Sequence, residues 1–388
     1  MAAPKKKEEV QEVDENGEVK SRKKSVLGFD EIQNLLNKKE GKKVARNIND
    51  MGNIPYWIPT GSKYLDYTIR QGGIGGIPGG RISSICARPG AGKSFLALSI
   101  AKEAQKMGLS VAFFDAEGGI EADFVNALGV DTNNFHHILI HSVEQMFSMI
   151  DTLTSSTKNR WLYIWDSLAA TPTETEIEAG YDPSSVMASG ARTLSFNLKK
   201  MMVPLIESES TFLILNQIRD NITSDRWEKI KNPFKVPGSW ALLHSCSLIL
   251  WLFPSEAKDN AISDLDIKIG NLIKVKIKKS RFRTTDREVP LILVWSGNKP
   301  KVMDEETWLE AVSSHPNVST GAWNTIKLSD GLEKKIREKD FPELCKNDSS
   351  FRNNILQYMK ECLIDKWNPE EVKEDSDDLI AMITPNEI

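Results

Sequence analysis

The sequence predicts an α/β fold built on a mostly parallel, twisted sheet. Three observations carry that prediction. A β-branched run, Ile82 to Ile85, breaks at a Gly/Pro turn into a helix-forming stretch. Further apolar strand-like runs alternate with amphipathic helical stretches along the chain. Polar or acidic residues stand at one end of those runs, where open α/β sheets place their chemistry.

Taken in order, residues 1–25 carry Lys5-Lys6-Lys7 and then alternating acids and bases, with almost no large apolar side chains. Such a stretch cannot bury a core and is expected to be a disordered tail. Residues 26–57 form an N-terminal helical segment, with Phe29, Ile32, Leu35 and Leu36 on one helical face. That stripe suits packing on its own core and packing on a neighbouring subunit equally, and the Lys/Arg-rich stretch Lys42 to Arg46 follows it.

Residues 58–302 form the core. A glycine-rich loop, Gly72 to Gly80, precedes the first strand. The strand leads into Ala87-Arg88-Pro89-Gly90-Ala91-Gly92-Lys93-Ser94-Phe95, and a helix runs from Phe95 to Met107 until Gly108 stops it. Strand, glycine turn, Lys-Ser and helix are the context of a phosphate-binding loop. Gly90 and Gly92 let backbone N–H groups converge on phosphate oxygens, and the helix N-terminus adds partial positive charge. Lys93 is placed to reach the β- and γ-phosphates of a nucleotide, and Ser94 to ligate Mg²⁺. Ala87 stands where glycine is usual and is small enough to serve. A glycine-rich turn with a chance Gly-Lys-Ser is the plain alternative, and the flanking strand and helix count against it.

The next strand, Leu109 to Phe114, ends in Asp115-Ala-Glu117. Trp161 to Asp166 is an apolar strand ending in an acid, the Walker B pattern, with Asp166 set to hold the Mg²⁺ hydration shell. Thr211 to Leu215 ends in Asn216-Gln217-Ile218-Arg219. Leu248 to Leu252, Leu272 to Lys276 and Val289 to Trp295 complete the strand-like runs. Two linkers interrupt the order. One spans Ala179 to Met187. The other, Asp220 to Trp240, has no obvious structure and interleaves Arg226, Lys229, Lys231 and Lys235 with Trp227, Phe234 and Trp240. Cations among aromatics suit single-stranded nucleic acid. A solvated loop with its rings tucked onto the core is the alternative, and composition does not separate the two.

Residues 303–367, punctuated by Trp308, Trp323 and Phe341 and closed by an amphipathic helix from Ser350 to Leu363, are expected to form a small C-terminal domain. Residues 368–388 read as an acidic tail. The whole has 388 residues, 40% hydrophobic and 27% charged, the composition of a soluble globular chain with room for a real core. No apolar run reaches transmembrane length and no signal-peptide pattern opens the chain, so no membrane partner is expected. Cys86, Cys246, Cys345 and Cys362 form no Cys-x-x-Cys pair and read as free thiols of a reducing compartment. His136, His137 and His141 complete no ligand set and read as surface or packing residues. A net charge of −4 requires that any nucleic-acid site be local.

The ordered series is more selective than any one motif: the Walker A stretch, Asp-Ala-Glu, Trp-Asp-Ser-Leu-Ala-Ala, Glu-Ile-Glu and Asn-Gln-Ile-Arg. It resembles the RecA family of homologous-recombination proteins, over about Ile58 to Trp295. The Trp-containing C-terminal segment and acidic end look like the phage UvsX-type branch. The resemblance implies a RecA-like ATPase core, with ATP and Mg²⁺ as cofactors. It implies that residues Ala87 to Phe95 hold ATP, with Ser94 and Asp166 at the metal and Lys93 at the reacting phosphates. It gives Glu117 the role of general base and Gln217 that of γ-phosphate sensor. Phe124 would stack on adenine, with Glu121 near the base. Met187, Arg192 and Lys199 match positions near a first DNA-binding loop. Arg219 opens a second, which holds Arg226, Lys229 and Lys231. Lys279 and Arg281 fit cations that reach a neighbour's γ-phosphate, with Lys276 and Lys278 competing for that assignment.

The implied activity is that of a DNA-dependent ATPase and recombinase. It would form helical filaments on single-stranded DNA and pair them with double-stranded DNA, working with copies of itself and with single-strand-binding and mediator proteins. Its place would be the cytoplasm, of a bacterial host if phage-encoded. A ring-shaped RecA-like replicative helicase is the alternative, weakened by the lack of a large helical N-terminal domain. A RecA-like regulator of clock or kinase type, binding no DNA, is a third.

Overall fold

The computed structural model describes residues 8–13, 19–24, 27–41, 53–179, 189–254, 261–264, 267–295 and 300–367. The chain divides into two units, 1–54 and 55–388. In the first, β1 (Glu8–Val13) pairs antiparallel with β2 (Val19–Lys24). The backbone register runs from Glu8 opposite Lys24 to Val13 opposite Val19. A helix follows, Phe29–Glu40, closed by Gly41 in the left-handed conformation. The Gly28 N–H donates to Glu31 at its start, at 2.8 Å. Its stripe of Phe29, Ile32, Leu35 and Leu36 is exposed.

The second unit is organised by β5 (Ile82–Ala87), β6 (Ser110–Asp115), β7 (Phe135–Leu139), β8 (Trp161–Asp166), β9 (Thr211–Gln217) and β12 (Leu248–Pro254). These six run parallel in the order β12-β5-β9-β8-β6-β7, as expected of a mostly parallel sheet. An antiparallel arm continues beyond β12: β14 (Ile267–Ser280), β15 (Glu288–Val294) and β16 (Lys301–Val302), with β13 (Ala261–Asp264) also on β14. The short pair β3 (Trp57–Ile58) and β4 (Ile77–Pro78) precedes the sheet, and β10 (Arg219–Asp220) with β11 (Phe234–Lys235) forms a hairpin after β9.

Successive side chains of a strand point to opposite faces, which divides the apolar residues between two cores. Ile85, Leu162, Ile164, Leu213 and Leu215 face one side, where Leu96 and Ile100 of the helix Lys93–Lys106 cover them. Cys86, Tyr163, Trp165, Phe212 and Ile214 face the other, against Met146 and Ile150 of the helix Val143–Ser156 and Leu198 of the helix Ser189–Glu207. Trp165 and Phe212 stack nearly parallel there, with centroids 6.3 Å apart. Among the described residues no helix is long and apolar enough to cross a membrane.

Residues 300–367 carry the small sheet β17 (Val318–Ser319), β18 (Asn324–Lys327) and β19 (Glu333–Ile336), and a helix over Ser349–Leu363. Trp308, Phe341 and Phe351 join the same hydrophobic cluster as Ile58 and Leu65. A polar clamp reinforces that junction: Asp304 accepts hydrogen bonds from the Ser62 hydroxyl at 2.6 Å and the Lys63 N–H at 2.7 Å, at the start of the helix Lys63–Ile69.

Candidate active site

The carboxyl ends of β5, β6, β8 and β9 converge, and each delivers a short polar segment there. The turn after β5 holds Gly90 at φ 75° and Gly92 at φ 83°, in the left-handed region that glycine enters without strain. At Gly92 an added Cβ would also stand 2.3 Å from Leu293 Cδ1 of β15, so that side chain would have to shift. The helix begins at Lys93, two residues before the expected start.

Asp166, at the end of β8, gathers two side chains that follow that turn, Lys93 and Ser94. Lys93 Nζ forms an ion pair with its Oδ1, and the Ser94 hydroxyl donates to its Oδ2 at 2.6 Å. The side chains of Lys93 and Asp166 are only 14% and 8% exposed, so each charge needs the other. The buried Ser167 donates its hydroxyl to Glu117 Oε1 at 2.6 Å. Glu117 is otherwise exposed, on a turn that Asp115 organises. Asp115 Oδ1 accepts from the N–H of Glu117 at 2.9 Å and of Gly118 at 2.7 Å, and His137 Nε2 on β7 bonds its Oδ2 at 2.9 Å. The expected site residues Lys93, Ser94, Asp166 and Glu117 are thus linked through one acid and one serine.

Gln217 ends β9 half-buried. Its N–H donates to Oδ1 of the fully buried Asn216 at 2.8 Å, and Asn216 Nδ2 donates to the Pro237 carbonyl at 2.8 Å. The end of β9 is therefore fastened to the far end of the loop that follows it. Phe124 is half-buried and packs at a tilt on Phe95, with centroids 5.9 Å apart, while Glu121 is exposed at the cap of the helix Ala122–Leu128.

The residues expected to touch DNA lie on exposed surface. Arg192 and Lys199 sit on the helix Ser189–Glu207, and Arg219 on β10. Arg226, Lys229 and Lys231 share a one-turn helix, Arg226–Lys231. Met187 lies outside the described residues. The linker read as lacking structure is instead a hairpin that carries this helix. Asp225 caps the helix by accepting from the N–H groups of Trp227 at 2.9 Å and Glu228 at 3.2 Å. Of its aromatics, Trp227 and Trp240 are 80% and 76% exposed, whereas Phe234 packs on Trp251 and Phe253.

Lys279 and Arg281 lie at the opposite end of the sheet. Lys279 pairs with Ile249 at the start of β12, and β12 itself starts level with Ser83, whereas the phosphate loop leaves β5 after Ala87. In this chain they bind carbonyls that end the helix Ser239–Ser245. Lys279 Nζ reaches those of Leu243 and, at 2.7 Å, Cys246, and Arg281 Nη2 reaches that of His244 at 3.2 Å. Burial, and then the neighbouring Arg281, hold the Lys279 ammonium below the usual lysine range. Arg81 is lowered for the same two reasons, which makes this edge a cluster of crowded cations. Lys276 pairs instead with Asp286 and Glu288, and Lys278 lies over the Trp251 ring.

Sequence reasoning missed Ser167, His137, Asp115 as an anchor, and Asn216. Ser167 follows the Walker B acid directly, but its partner is visible only once β6 and β8 are neighbours.

The pattern of the RecA N-terminal domain matches residues 30–298. The chain is 32% identical over 333 residues to Protein RecA of Chlorobaculum tepidum, covering 84% of this chain and 90% of that one. It is 31% identical over 329 residues to Protein RecA of Mycoplasma mobile, covering 83% and 93%. With Protein RecA of Thermus aquaticus it shares 30% over 321 residues, covering 80% and 88%.

Proposed function

The chain belongs to the RecA family of recombinases, and from that premise we propose that it binds ATP and Mg²⁺ at the Lys93–Asp166 site and hydrolyses ATP when assembled on single-stranded DNA. The observation that carries this reading is the convergence on Asp166 of Lys93 and Ser94, with Glu117 held next door by Ser167. The donor set fits the cofactors. A hydroxyl and a carboxylate side by side are hard oxygen ligands of the kind Mg²⁺ takes, and a glycine turn opening a helix suits a polyphosphate.

Bound ATP and Mg²⁺ supply the phosphoanhydride and much of the charge neutralisation. The protein supplies position. Lys93 and the loop N–H groups hold the phosphates, and Asp166 and Ser94 hold the metal. Glu117, steadied by Ser167, accepts the proton of the attacking water. The Gln217 side-chain amide donates to the γ-phosphate, and the Asn216 bonds carry its position to the loop end at Pro237. Lys279 and Arg281, remote from this chain's own loop, act on a neighbouring copy's nucleotide, so turnover depends on assembly. The exposed stripe of Phe29, Ile32, Leu35 and Leu36 suits packing on that neighbour. DNA is held by Arg192, Lys199, Arg219, Arg226, Lys229 and Lys231, while Phe124 stacks on the adenine of ATP with Glu121 near that base. The phage-type branch is supported by the Trp-containing C-terminal segment and the acidic residues 368–388.

Phosphate release with and without single-stranded DNA tests this reading. Wild-type turnover should rise on DNA, and Lys93→Ala should lower it by about 100-fold or more. Near-normal turnover in Lys93→Ala would contradict the site. A helicase is not favoured by the family match, and electron microscopy with ATP and DNA separates the two: helical filaments support recombination, closed rings oppose it.

A further inference from the structure

Arg88 occupies the second position of the phosphate loop, yet its guanidinium reaches the hairpin after β9. Its Nη2 donates to Asp220 Oδ1 at 2.7 Å, and its guanidinium carbon lies 5.1 Å from the centre of the Phe234 ring. Asp220 and Phe234 are register partners across β10 and β11, so one cation grips both strands of the hairpin at a single rung. The backbone is joined at the preceding residue: the Ile218 N–H donates to the Ala87 carbonyl at 2.9 Å, extending the β5–β9 pairing beyond the sheet. Phe234 is itself seated on Trp251 and Phe253. Two consecutive residues of the phosphate loop therefore fix the root of the hairpin, and the exposed helix with Arg226, Trp227, Lys229 and Lys231 lies between its strands.

The pair is solvent-facing, with Arg88 44% and Asp220 71% exposed. Exposed ion pairs add little to stability, so the arrangement matters for geometry more than for holding the fold together. We propose that Arg88 is a positioning residue that carries the occupancy of the phosphate loop to the hairpin, setting how far nucleotide binding raises affinity for single-stranded DNA. The inference rests on the ATP-dependent recombinase reading and adds to it a specific mechanical link. Pro89 restricts the backbone beside Arg88, so any shift of the turn on taking up a polyphosphate would carry the guanidinium with it. Such a shift would act on the Asp220–Phe234 rung, and through it on the segment that bears the cations. A link of this kind is a coupling free energy between two sites, and it is reciprocal.

The test measures the affinity of the full chain for a fluorescent oligothymidylate with and without a non-hydrolysable ATP analogue. The ratio of the two affinities is the coupling factor. Arg88→Gln and Asp220→Asn should each lower that factor by about fivefold or more, and the double variant should lower it no further than the worse single. The enhancement of analogue affinity by the oligonucleotide should fall by the same factor. A merely structural defect would weaken both affinities and leave the ratio intact. A ratio within about twofold of wild type in both single variants, or losses that multiply in the double, would overturn the link while leaving the recombinase reading in place. If the wild type binds no oligonucleotide at all, the reading itself falls, and the link with it.

Discussion

The Ser167 hydroxyl donates to Glu117 Oε1 at 2.6 Å across a separation of 50 positions. Ser167 directly follows Asp166, so the carboxylate assigned to the water is set by the same strand end that is assigned to the metal. Asp115 fixes the other side of the Glu117 turn through two backbone N–H groups.

Glu117→Gln keeps an oxygen that accepts from Ser167 but removes the base. Turnover should fall by about 10²–10⁴-fold while nucleotide binding and filaments persist. Ser167→Ala leaves the base present but untethered, and the expected loss is smaller, about tenfold to a hundredfold. Phosphate release on DNA measures both. Undiminished turnover in Glu117→Gln would remove Glu117 from the base role.

Lys279→Ala combined with Arg281→Ala should lower DNA-stimulated hydrolysis by about 10³-fold, the scale of a cation supplied in trans. Nucleotide affinity measured on dilute, unassembled chain should survive. Mixing this variant with Lys93→Ala gives a sharper result: some junctions then pair an intact phosphate loop with intact cations, and activity should partly return. Loss of nucleotide affinity in the isolated chain would instead place the cations in their own site.

Gly92→Ala puts a methyl group 2.3 Å from Leu293 Cδ1 at φ 83°. The backbone strain and overpacking should destabilise the fold by about 1–3 kcal/mol each. Adding Leu293→Ala should relieve the contact but not the strain, so the double variant should be more stable than the sum of single effects predicts. Chemical denaturation of the four proteins in this cycle reads the coupling, and strict additivity would mean that Leu293 yields freely.

Asp66 gives a pH signature. Burial pushes its carboxyl up from the ordinary 3.8 to about 8, against the hydrogen bonds donated by the Thr60 N–H at 2.9 Å and the Thr60 hydroxyl at 2.8 Å. Between those values the folded chain keeps a proton that the unfolded chain has released. This group's contribution to stability is therefore complete below the lower value and is lost as pH rises toward the upper, by at most about 1.4 kcal/mol per pH unit. Asp66→Asn retains an acceptor for Thr60 and should flatten that slope. Urea midpoints at about pH 6 and about pH 8 compare the two proteins, and equal slopes would mean that Asp66 is ionised in the fold.

Much of this architecture was legible because β-branched and aromatic runs ending in Asp115, Asp166 and Gln217 have few other uses. Periodicity identifies strands but not their direction, so the antiparallel arm beyond β12 was not visible. The hairpin after β9 was read as structureless because its strands are two residues long. One signal was available there: Asp225, with Glu228 three residues on, is a helix-start pattern. The contacts of Ser167, His137 and Arg88 join residues from different parts of the chain. They depend on strand order and register, which no local pattern encodes.

The Asp304 clamp bears on any search for a minimal fragment. A chain ending at Val302 would strand the Ser62 hydroxyl and the Lys63 N–H and uncover Tyr64 and Leu65, which rest on the cluster that holds Trp308 and Phe351. Deleting what looks like an appendage would therefore erode the floor beneath the glycine-rich loop, and a loss of ATP turnover in such a truncation would report damage to the scaffold before it reported any duty of the missing piece.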